Sequence, residues 1–118
     1  MMEKEELTLE EAREELGKWQ EILVSWPKLS STEKFSHYYQ ASRLSEPFVD
    51  KSISFSGNPQ LTEKEEAWNK VLIDVVYFRR ALEKLWKVKS EETQDVIEKA
   101  KETLRILLEE YDNYMAGE

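Results

Sequence analysis

Cysteine is absent from this 118-residue sequence, and its absence rules out disulfides, thiolate nucleophiles and any metal site built on sulfur. A reducing compartment fits that absence. Glycine and proline occur three times each, too few and too scattered for a glycine-rich phosphate loop. The single histidine, His37, would need Asp or Glu ligands gathered around it to hold a metal, and an ordinary place on an aromatic helix face is the simpler expectation. No apolar run approaches the roughly 20 residues that cross a bilayer. The N-terminal MMEKEELTLEE also lacks the basic-then-apolar order of a secretory signal. The expectation is a soluble cytoplasmic protein with no membrane role.

An excess of basic residues is missing too. The net charge is −8, with 25 acids against 17 bases. Residues 1–15 hold seven acids and two bases, and residues 109–118 hold four acids and no base, so the ends are acidic and the middle mildly basic. Nucleic-acid binders draw much of their affinity from neutralising phosphates, so direct nucleic-acid binding is not expected.

What is present is helical periodicity. Apolar residues recur at alternating spacings of three and four in three stretches. The first is Leu9, Ala12, Leu16, Trp19, Leu23 and Trp26. The second is Trp68, Val71, Val75, Phe78, Leu82 and Leu85, and the third is Ile97, Ala100, Leu104, Leu107, Tyr111 and Tyr114. Each set forms one stripe of a helix, the pattern of helices packed at shallow angles. Three capping boxes mark starts: Thr8 with Glu11, Ser30 with Glu33, and Thr62 with Glu65. The fold class is therefore an all-α helical bundle, a single domain over residues 1–118. It has helices at about 9–26, 31–45, 63–88 and 91–115. Three are long; the second is shorter, with an aromatic face of Phe35, Tyr38 and Tyr39. Pro27 ends the first helix and Glu46-Pro47 closes the second. Residues 46–61 read as an extended loop, with Ile53 and Phe55 alternating with serines and a turn at Gly57-Asn58-Pro59. The third helix carries additional apolar residues at Leu72, Ile73, Val76 and Tyr77, a girth that predicts neighbours on two sides. A short connection makes it an antiparallel hairpin with the fourth.

No nucleophile, base and oxyanion donor converge in the sequence, so neither enzymatic activity nor a bound cofactor or metal is expected. The enzymatic alternative is a magnesium-dependent nucleotide pyrophosphohydrolase, whose helices carry acids at one-turn spacing. Glu10, Glu11, Glu14 and Glu15 have that spacing on the first helix, but acids in a first turn also answer the helix dipole. Glu66 and Asp74 on the third helix are eight apart. The candidate partner-binding residues are of two kinds. Arg79, Arg80, Lys84 and Lys87 cluster on the C-terminal half of the third helix, where cations also suit the dipole. Tyr38, Tyr39, Tyr111 and Tyr114 fit the half-exposed role of residues that anchor protein interfaces.

The central segment SEPFVDKSISFSGNPQLTEKEEAWNKVLIDVVYFRRALEKL, with the later run LRILLEEY, resembles the middle of ArpU-type late transcription regulators from phages of Gram-positive bacteria. The likeness spans about residues 35–111. It implies phage or prophage origin, a host-cytoplasmic location and contact with a transcription machine. That family continues into a sigma-like helix-turn-helix with no counterpart before Glu118, so sequence-specific DNA binding is not carried over.

The expected function is a small protein-binding module that docks on a larger host or phage protein. Two other readings compete with it. One is an acidic inhibitor, of anti-restriction or anti-CRISPR type, filling the nucleic-acid groove of an enzyme; the other is a virion adaptor. Apolar residues beyond the stripes, at Ile22, Val24, Ile106 and Leu108, leave room for a homodimer through the first or last helix.

Overall fold

The computed structural model describes residues 7–53, 62–88 and 90–117. Over these the chain is all-α, with five α-helices: α1 (Leu9–Ser25), α2 (Ser31–Ala41), α3 (Glu46–Ile53), α4 (Glu63–Lys87) and α5 (Thr93–Ala116). Short 3-10 turns at Trp26–Lys28 and Ser90–Glu92 lead out of α1 and into α5.

All three capping boxes form. The Glu11 amide donates to Thr8 Oγ1 at 3.1 Å and the Thr8 amide to Glu11 Oε1 at 3.0 Å. The Ser30–Glu33 and Thr62–Glu65 pairs repeat both bonds at the starts of α2 and α4. Each box satisfies amides that the first turn leaves without a carbonyl partner.

The long helices α1, α4 and α5 share one core. Trp68, near the start of α4, lies 4.9 Å from Tyr114 near the end of α5, so these helices run antiparallel. Arg13, early in α1, forms a bidentate ion pair with Asp112, late in α5, with both bonds at 3.0 Å. The predicted stripes all turn inward: Trp68, Val75, Phe78, Leu82, Leu104 and Leu107 are buried, and only Leu9 among the stripe residues stays half-exposed.

The region after Ala41 differs from the sequence expectation. The second helix stops at Ala41, and the Ser42 hydroxyl donates to the Tyr39 carbonyl at 2.6 Å. A turn of i to i+3 backbone bonds carries residues 42–46 directly into α3. Residues 46–53 are therefore helical, whereas alternation had pointed to an extended loop. Pro47 sits in the first turn of a helix, where its missing N–H takes nothing from the hydrogen-bond ladder. Tertiary packing then holds α3: Phe48 is fully buried, stacked on Trp68 at 5.6 Å and 12°. The Trp68 indole N–H also donates to the Phe48 carbonyl at 3.2 Å. Phe55 and the Gly57-Asn58-Pro59 turn lie outside the described residues.

Candidate functional site

Two shorter helices lie across one flank of α4, and the surface they leave is the candidate site. Ala41 and Leu44 anchor the α2 end in the core while Phe48 does the same for α3. Between α2, α3 and α4 runs a groove of about 340 Å³. Its apolar walls are Tyr38, Val49 and Val76, and Arg79 and Arg80 stand at its edge. Ser45, a buried polar residue, accepts a hydrogen bond from Arg79 Nη1 at 3.3 Å. That bond orients the guanidinium and leaves its other N–H groups available. Arg80 has no hydrogen-bond or ion-pair partner among the described residues, and Lys84 has none either. Lys87 is held by Glu83 at 3.2 Å, one helical turn away.

Beyond the groove the surface rises into an aromatic ridge. Tyr38 stacks on Trp86 at 5.3 Å and 6°, Phe35 meets Trp86 at 5.8 Å, and Tyr39 stacks on Phe35 at 6.1 Å. Phe35 is 55% exposed and Tyr39 63%. On the outer side of α4, Ile73, Val76 and Tyr77 remain exposed, Tyr77 at 54%. α4 has α5, α3 and α2 as neighbours, yet Ile73, Val76 and Tyr77, most of the added girth that predicted covering on two sides, stay exposed.

The structure divides the residues singled out from sequence. It brings Tyr38, Arg79 and Arg80 to one groove, stacks Tyr39 on Phe35 at the wall of a separate groove between α1 and α2, and sets Lys84 and Lys87 along the same end of α4. Tyr111 and Tyr114 do not belong here. Expected to be half-exposed, they are 5% and 9% accessible and pack around Trp68 at the far end of α4. Their rings complete the third stripe, so core packing claims them. Phe35, Val49 and Trp86 were not singled out as site residues. The signal for Trp86 was present: Leu85 already occupies the stripe, and the next residue points about 100° away on a helix of 3.6 residues per turn.

The histidine and the acids considered from sequence lie outside this groove. His37 lies edge-on to Trp19 at 6.0 Å beside a second groove between α1 and α2. Glu11 caps its helix and Glu15 holds Lys18 at 3.2 Å. Among the described residues no three His, Asp or Glu side chains are placed to share a metal ion. Nor is any described helix long and apolar enough to cross a membrane. Asp74 faces Glu110 of α5, and burial followed by that neighbouring carboxyl pushes its pKa up to about 7. Val24 is exposed and Ile22 half-buried on α1, whereas Leu108 on α5 is buried.

No protein-family model matches the chain, and no curated protein or solved structure matches it.

Proposed function

We propose that the protein is a small non-catalytic binding module that docks on a larger protein through the α2–α3–α4 face. The observation that carries this reading is the exposed run of touching rings Tyr39, Phe35 and Trp86, joined through Tyr38 to an apolar groove edged by two arginines. The core does not need these rings, because Trp68, Phe48 and Phe78 are already fully enclosed. Large aromatics left in water lose the favourable free energy of burial. Clustered Tyr, Trp and Arg are the residues that dominate binding energy at protein interfaces. Such a patch gains most when a partner covers it. The resemblance of the central segment to ArpU-type regulators supports a partner in a phage or host transcription machine.

Affinity capture from a lysate of the cells that make the protein, with Tyr39→Ala and Phe35→Ala run in parallel, tests this. We expect a protein partner whose retention falls in both variants and is weakened but not abolished by raised salt, because the ring contacts are not screened. A partner indifferent to both changes would overturn the reading. A nucleic-acid enzyme released by salt alone would point instead to the acidic ends and the inhibitor reading.

A further inference from the structure

We infer that the segment received by this face is an acidic amphipathic helix of the partner. Its apolar side would lie on Val49, Val76 and Tyr38, with its carboxylates on Arg79 and Arg80. The inference rests on the docking reading and specifies the chemistry of the occupant.

Charge complementarity carries the first half. The chain is strongly acidic as a whole, yet the groove edge presents two guanidiniums. Arg79 is oriented by the buried Ser45 hydroxyl, and Arg80 makes no ion pair among the described residues. Glu83, the acid lining the same groove, is already engaged by Lys87. A positive edge beside apolar walls therefore selects a segment that offers acids a helical turn from aliphatic or aromatic side chains. Arginine suits carboxylates because its planar fork can donate two parallel bonds.

Backbone hydrogen bonding carries the second half. Strand addition needs a sheet edge to pair with, and no strand occurs among the described residues. A helix satisfies its own backbone and can lie in an apolar groove between helices. From Val76 to Trp86 the surface extends about 15 Å along the α4 axis at 1.5 Å per residue, enough for roughly three turns of a partner helix.

The test is panning of a random displayed-peptide library on the full chain, followed by binding of enriched peptides to variants verified as folded by circular dichroism. We expect enriched sequences with Asp or Glu one turn from Leu, Ile or Phe, and helical content that rises on binding. Their affinity should fall about tenfold or more in the double variant Arg79→Gln/Arg80→Gln. It should fall likewise in Val76→Ser. Enriched peptides without acids, or acidic ones that bind the arginine variant unchanged, would overturn the acidic helix. The docking reading would then still stand if Tyr39→Ala or Val76→Ser weakened them. Peptides indifferent to all four changes would remove both readings. Failure to enrich any peptide, or sedimentation showing this face covered by a second copy, also overturns the inference.

Discussion

Asp74 on α4 and Glu110 on α5 meet carboxyl to carboxyl where the two helices close on each other. Glu110 Oε1 is buried, and among the described residues no donor reaches it unless Asp74 carries a proton. Desolvation first, then Glu110, raises the Asp74 pKa to about 7, and Lys70 one turn back on the same helix opposes the shift only in part. The folded chain thus binds this proton far more tightly than the unfolded chain, whose Asp releases it near 3.8.

The consequence is a stability that falls as pH rises. The favourable contribution of the protonated pair is complete below the unfolded value and is lost as pH climbs through about 7. Asp74 is only partly buried, so after solvent screening the loss should be about 1–2 kcal/mol. Thermal melts at acidic and alkaline pH should show the wild type losing Tm relative to Asp74→Asn, which cannot ionise. Parallel pH profiles for the two proteins would show that the pair does not share a proton.

Leu82→Ala or Leu104→Ala should each lower stability by about 2–5 kcal/mol, since each opens a cavity in a core with no room to collapse. Both side chains are fully enclosed between α4 and its neighbours. Urea unfolding measures the change, and a loss under about 0.5 kcal/mol would place the residue outside the core.

Trp68→Phe keeps most of the apolar volume but removes the N–H that donates to the Phe48 carbonyl. The loss of that one buried hydrogen bond should cost about 0.5–1.5 kcal/mol. The damage should be local to α3, seen as faster amide hydrogen exchange from 49 to 53 than in the wild type. Unchanged exchange there would show that stacking on Phe48 alone holds α3.

Gly17→Ala should stabilise. Gly17 is in the middle of α1, where alanine is favoured by up to about 1 kcal/mol. The nearest atom to an added Cβ is Arg13 Nη1 at 3.2 Å, the far end of a flexible side chain. A raised Tm is expected; a lowered one would mean that the Arg13–Asp112 ion pair cannot shift to make room.

The starts of α1, α2 and α4, the three inward stripes and the all-α class were legible in the sequence because they depend on near neighbours. A capping box needs residues three apart, and a stripe needs only the helical repeat. Tertiary structure decided the rest. Pro47 and the alternation after it read as the end of a helix, yet Phe48 found Trp68, 20 residues away, and that burial drew Glu46–Ile53 into α3. Tyr39 and Tyr111 look alike in sequence, each on an aromatic helix face. One lies on a short helix with open solvent beyond it, and the other is enclosed by α4 and α3. The same holds for Asp74 and Glu110, whose encounter joins positions 36 residues apart in sequence. Periodicity tells which side chains share a face of one helix; which faces are covered depends on how helices distant in sequence pack, and burial free energy decides that only once the whole core is assembled.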